Sequence, residues 1–270
     1  MAEYKVDVRT NSLESGLVYA PFDKAITELR SQGHEPIEAG LNAVLRILEG
    51  PQSSISQNGN YVKEGNIYLK EEQGIIVRGS PLLSDSQMLN QAIEANRQGR
   101  YFSTPNRELY EKFLKQVRED ASKAPRERRA ILMPSYKPFK ISQKDNREVF
   151  DFLQLSQAYL DFVNQDSLTF YPISQDTLKG YSGTVPTQLW FDRLDDGRSD
   201  LVGNLDLVDD DRVRGVRQVV STAGANVAQK ISQPESELYT TQQISEVLNK
   251  SGITGDLEAR IQEALRQRKQ

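Results

Sequence analysis

The sequence predicts an α+β protein, and three observations carry that expectation. Apolar residues recur at three- and four-residue spacing between Leu109 and Val117, short runs of strand-forming residues separated by Asp- and Gly-rich turns lie between Thr187 and Val220, and no regular alternation of strand and helix patterns suggests a doubly wound parallel sheet. Four regions follow from this pattern: an acidic mixed α+β region over 1–96, a basic helical region over 97–170, an antiparallel β meander over 171–233 and a helical tail over 234–270.

In the first region, Phe22, Ile26 and Leu29 share one helical face, and Gly33 supplies a stop, so a helix is expected over 22–32. A second amphipathic stretch runs from Ile37 to Leu48 and ends at Gly50 and Pro51, followed by a Ser-, Gln- and Asn-rich loop over 52–60. Ile67 to Leu69 and Ile75 to Val77 flank Glu-Glu-Gln-Gly, which reads as a hairpin with Gly74 at the position of positive φ. His34, the only histidine, lies between Gly33 and Glu35-Pro36 and reads as an exposed loop residue.

In the second region Thr104-Pro105 is a helix start, because proline at the first helical position gives up an amide that has no partner there anyway. A helix is therefore expected over 105–120, and a second, longer one over 143–163 with Val149, Phe152, Leu153, Leu160 and Val163 on its buried face. Ile-Ser-Gln recurs at irregular intervals; Ser142 with Asp145 and Ser232 with Glu235 read as helix caps. The meander is expected to run through Thr187–Leu194, Leu201–Val208 and Val213–Val220, with Trp190 as a core anchor. In the tail, Thr240 to Gln243 forms a capping box. Ile244, Val247 and Leu248, then Leu257, Ile261 and Leu265, give two helices that pack on the body or on another subunit.

The residue inventory excludes much chemistry. With no cysteine and one histidine, there is no thiolate nucleophile and no multi-His or Cys metal cage, and no phosphate-binding glycine motif is present. No cofactor is expected. The opening residues lack the apolar run of a secretory signal and no apolar run is long enough to span a bilayer, so a cytoplasmic protein that does not enter a membrane is expected.

Charge divides the chain more sharply than its net value of −4 suggests: 1–96 carry −5, 97–147 carry +8, and 148–270 carry −7. Within the basic belt, Arg97, Arg100, Arg126, Arg128, Arg129, Lys137 and Lys140 interleave with Tyr101, Phe102, Tyr136 and Phe139. Cations beside rings are the ingredients of polyanion binding. The expectation is a non-enzymatic binding or assembly protein that holds an acidic partner through this belt. That partner is a protein or a second copy engaged through the belt and the tail helices, or, as a specific form, nucleic acid. The alternative from another class is a divalent-metal phosphate or nucleotide enzyme using Asp206, Asp209 and Asp211, where carboxylates crowd at the end of an apolar run.

Overall fold

A computed structural model describes residues 3–9, 13–194, 198–208 and 212–218. The chain begins with β1 (Glu3–Arg9), β2 (Leu13–Tyr19), α1 (Phe22–Ser31), β3 (Glu35–Pro36), α2 (Ala39–Glu49), α3 (Ser54–Gln57), β4 (Asn60–Tyr68) and β5 (Ile75–Val77). It continues through α4 (Pro81–Ser84), α5 (Ser86–Arg97), α6 (Glu108–Glu119), β6 (Ala130–Leu132), β7 (Phe139–Ile141), α7 (Arg147–Phe152) and α8 (Gln157–Phe162). The last described elements are β8 (Leu168–Tyr171), α9 (Gln175–Leu178), β9 (Val185–Phe191), β10 (Leu201–Val202) and β11 (Arg212–Gln218).

The strands form one mixed sheet of 11 strands in the order β1-β2-β11-β4-β9-β10-β8-β7, with β3 beside β11 and β5 linking β4 to β6. This overturns the expected meander. β9 and β10 do pair antiparallel, Leu201 opposite Phe191, but β11 leaves them and inserts between β2 and β4, antiparallel to the first and parallel to the second. The reason lies in 203–208, which the apolar pattern assigns to a strand. Side chains of other elements take up this backbone: Thr187 Oγ1 donates to the Gly203 carbonyl, the Tyr61 hydroxyl donates to the Asp206 carbonyl, and Asn96 Oδ1 accepts the Leu207 N–H. A segment held by side chains has no ladder to offer a neighbouring strand.

The basic centre is likewise less helical than expected. α6 is present, although it starts at Glu108 rather than Pro105, while 130–132, 139–141 and 168–171 are strands. The long helix over 143–163 is two short ones, α7 and α8, because Gln154 turns left-handed at φ 55° and Ser156 caps α8 by accepting the Tyr159 N–H. Ser142 caps no helix; its hydroxyl accepts the Lys144 and Asp145 N–H groups in a turn, and Asn146 precedes α7. The second expected cap, Ser232 with Glu235, and the tail helix pair lie outside the described residues.

Local pattern does place α1, α2 and the β4–β5 hairpin, whose register sets Ile67 opposite Ile75. The left-handed turn residue of that hairpin is Glu71 at φ 66°, not Gly74, which instead passes close to Met133. The 52–60 loop holds the short helix α3.

Three apolar clusters hold the sheet. α2, α7 and α8 cover one part through Leu45, Phe152, Tyr159 and Leu160. α1, α4 and α5 pack on β2, β4 and β11 through Phe22, Leu82, Ile93 and Val213. α6 lays Tyr110 and Phe113 against β5 and β6. Trp190 is half-buried, edge-on to Tyr61 at 5.0 Å between ring centroids, as a core anchor should be. Among the described residues no helix is long and apolar enough to cross a membrane.

Candidate functional site

The structure pairs part of the basic belt with acids of the protein itself and leaves Arg100, Lys137 and Lys140 without a carboxylate partner among the described residues. Arg97 lies 3.5 Å from Glu94 on its own helix. Arg128 pairs with Glu148 and donates to the Lys123 and Ala121 carbonyls. Arg129 reaches Asp120 at 2.8 Å and Glu119 at 2.7 Å, and Lys123 adds a second cation to Asp120 at 2.8 Å. Asp120 is only 1% exposed, and its hydrogen bonds from Arg129 and Lys123 hold its carboxyl well below the usual carboxylate range. These groups tie the end of α6 to the start of β6. Arg126 is exposed, and its carbonyl accepts from Arg78.

The rings assigned to the belt divide in the same way. Phe139 is 8% exposed and stacks on Phe170 at 5.0 Å, and the Tyr136 hydroxyl donates to the Leu69 carbonyl while its ring packs on Tyr68. Phe139 is thus part of the core, and Tyr136 is partly buried against it. Lys137 and Lys140 remain exposed beside them, the Lys140 ammonium donating to Thr169 Oγ1.

Arg100, Tyr101 and Phe102 come together in a groove of about 730 Å³ between the C-terminal end of α5 and the 177–182 segment, with Glu94, Tyr181 and Ser182 also in its walls. Its construction is local and specific. Asp85 caps α5 by accepting the Met88 N–H at 2.9 Å, and Gly99 ends the helix at φ 71°, a conformation that favours glycine. Asn96 then fixes the turn, donating to the Arg100 carbonyl while accepting the Leu207 N–H. The Tyr101 hydroxyl donates to the Asn204 carbonyl, and its N–H donates to the Tyr181 hydroxyl at 2.8 Å, with the two rings 6.1 Å apart. Burial, then the neighbouring Tyr181 and Asp206, pushes the Tyr101 phenol up to about 12, so it stays a neutral donor across the physiological range.

At its far end the groove closes where Thr104 and Thr184 exchange backbone hydrogen bonds at 2.8 and 3.2 Å in an isolated antiparallel bridge. Glycine is required there, since a β-carbon on Gly183 would sit 1.6 Å from the Thr104 carbonyl oxygen. Arg100 lines the groove, is exposed and donates to Gln98 Oε1; among the described residues it has no carboxylate partner.

The sequence pattern points to Arg100, Tyr101 and Phe102 but misses Tyr181 and Ser182, which arrive from 80 positions further along the chain. The metal candidates are not brought together: Asp206 is exposed with its carbonyl held by Tyr61, and Asp209 and Asp211 lie outside the described residues. Among the described residues no group of three or more His, Asp or Glu side chains is arranged to hold a metal ion.

His34 is fully buried, not exposed. It is the strongest departure from its expected place, with Nε2 3.6 Å from Glu14 and 3.5 Å from the Tyr4 hydroxyl. Burial, then Arg217, lowers its pKa. It lies between the sheet and the end of α1, away from the groove residues.

No protein-family model and no curated protein matches the sequence. Among solved structures, the chain is similar to one described as "Accommodation of massive sequence variation in Nanoarchaeota by the C-type lectin fold", at 11% identity and a TM-score of 0.49, over 81% of this chain and 98% of that one.

Proposed function

We propose that this is a binding protein whose ligand lies in the groove between α5 and the 177–182 segment and presents an acidic group to Arg100. One observation carries the proposal: Arg100 lines the groove without a carboxylate partner among the described residues, whereas Arg97, Arg128 and Arg129 each hold an acid of their own. An unpaired guanidinium offers two parallel N–H donors to a carboxylate, a pairing about twice as strong as a neutral hydrogen bond. The volume of about 730 Å³ falls within the range of roughly 300–1,000 Å³ usual for ligand clefts.

The acidic partner expected from the belt is thereby kept, and its seat is narrowed to the belt's first residues. A discrete acid fits better than a phosphate chain. A polyanion gains affinity from several free cations and from stacking rings, but here Glu94 lines the same groove, Phe139 lies in the core and Tyr136 is partly buried against it.

Fluorescence anisotropy of a labelled tracer that carries a single carboxylate tests the proposal. Arg100→Glu is expected to weaken binding by about tenfold or more, the loss of a charge-assisted hydrogen bond, while Lys137→Glu with Lys140→Glu leaves it unchanged. The reverse ranking, with the double variant impaired and Arg100→Glu intact, overturns it.

A further inference from the structure

We infer that the groove's ligand is a zwitterion, which sets a carboxylate on Arg100 and, one short chain away, an ammonium on Glu94. This rests on the groove being the binding site and adds the second charge of what occupies it.

Of the described residues that line the groove, only Glu94 and Arg100 are charged, and both come from the same side, α5 and the turn that follows it. They do not pair with each other, because Gln98 stands between them. Its side-chain nitrogen donates to Glu94 Oε1 at 3.0 Å, and its Oε1 accepts from Arg100 Nη2 at 2.5 Å. One amide thus serves both charges and keeps them apart. Carboxylate and guanidinium are held within about 8 Å of each other, two hydrogen bonds and the width of an amide. The other side of the groove, from Thr177, Gly180, Tyr181 and Ser182, carries no charge.

A wall of this kind discriminates by sign. An acid seated on Arg100 lies within a Debye length of Glu94, about 8–10 Å at ordinary salt, so their repulsion is not screened away. An ammonium on the same molecule turns that repulsion into attraction, whereas an amine with no acid meets Arg100 as a like charge. Arg97 also approaches Glu94, at 3.5 Å, but both side chains are more than half exposed, and an exposed pair is too weak to keep an ammonium off. The groove's volume of about 730 Å³ leaves room for an uncharged body beside Tyr181.

The test uses the full chain and a graded set of small molecules. The straight-chain amino acids from glycine to ε-aminocaproate, each with the acid that lacks the amine and the amine that lacks the acid, are titrated at equal salt. Amide shifts of Gln98 and Tyr101 report binding. Glu94→Gln and Arg100→Gln alter exposed side chains only, so the fold is kept.

We expect affinity to pass through a maximum along the series, with the best amino acid binding roughly three- to tenfold tighter than its amine-free acid. Glu94→Gln should erase that difference without weakening the amine-free acid, and Arg100→Gln should weaken both. If amino acid and amine-free acid bind equally, each in an Arg100-dependent way, or if Glu94→Gln strengthens both alike, the groove stands and the zwitterion falls. If no acid, with or without its amine, depends on Arg100, the groove itself falls and the zwitterion with it. Amide shifts that stay fixed throughout overturn both.

Discussion

Replacing Glu64 by glutamine should flatten the protein's stability across the neutral pH range. Glu64 lies on β4 with no exposed surface; its Oε2 accepts the N–H of Ala39, the first residue of α2, at 3.1 Å, and its Oε1 has no hydrogen-bond partner. Burial, and then the charge of Glu38, push its carboxyl from 4.5 up to about 8, against a smaller opposing pull from Arg78. Between those two values the unfolded chain has released a proton that the folded protein keeps, so stability is complete below about 4.5 and is lost as pH rises through about 8. At 1.36 kcal/mol per pH unit the loss over that window is roughly 5 kcal/mol, a large part of the usual 5–15 kcal/mol of a folded domain. Glutamine keeps an acceptor for the Ala39 N–H and carries no proton to lose. Urea unfolding followed by the fluorescence of Trp190, from about pH 5 to about pH 9, should show the wild type losing stability relative to Glu64→Gln by about 1.4 kcal/mol for each unit up to about pH 8, with no further loss above it. A difference between the two proteins that does not change with pH would refute the argument.

The remaining predictions concern other buried groups. His34 should titrate below its ordinary 6.5, so it favours the folded state above that value and weakens it as pH falls through the lowered pKa; because it is the only imidazole, a proton NMR titration follows it directly, and a pKa above 6.5 contradicts its burial. Arg46 is fully buried and donates to the Tyr159 hydroxyl, the Asp192 carbonyl and Ser199 Oγ, so Arg46→Met should strand those acceptors and cost roughly 3 kcal/mol; a loss below about 1 kcal/mol in urea unfolding argues that they find other partners. Gly183→Ala should force the Thr104–Thr184 bridge apart, costing about 1–3 kcal/mol and lowering tracer affinity together, so unchanged affinity separates the bridge from the groove. Asp120→Asn should weaken the hold of Arg129 and Lys123 on the turn after α6, read as faster amide exchange at Arg129, whose N–H Asp120 accepts; unchanged exchange there would mean the turn stands without the carboxylate.

Elements that a few neighbouring residues specify were legible in the sequence. The face formed by Phe22, Ile26 and Leu29, the run that becomes α2, and Ile67 opposite Ile75 all follow from spacing alone. What failed depended on distant partners. The apolar face from Val149 to Val163 gives no sign of the left-handed Gln154, and the apolar alternation of 201–208 is the same whether it meets a strand or the side chains of Tyr61, Asn96 and Thr187. His34 sits between Gly33 and Glu35-Pro36 yet is buried, because β3 and β11 pair beside it. In the belt, charge was visible and pairing was not: nothing local says that Arg129 has Asp120 and that Arg100 has no acid. Half of the groove was therefore readable, and the half contributed by Tyr181 and Ser182 was not.

The place of β11 in the sheet bears on how the chain reaches its fold. Until Arg212–Gln218 is available, β2 has only β1 beside it and the N-terminal half of β4 lacks a neighbour on that side, so both present open edges. The pairing that covers them runs from Arg212 opposite Tyr19 to Gln218 opposite Leu13, the latter almost the longest separation the described chain allows, and contacts of that span are slow to form. On a ribosome the N-terminal hairpin and α1 would wait, edge exposed, through the synthesis of nearly everything that follows. During that interval the chain is most open to pairing with another copy of itself, and a chaperone that shields strand edges would have most to do.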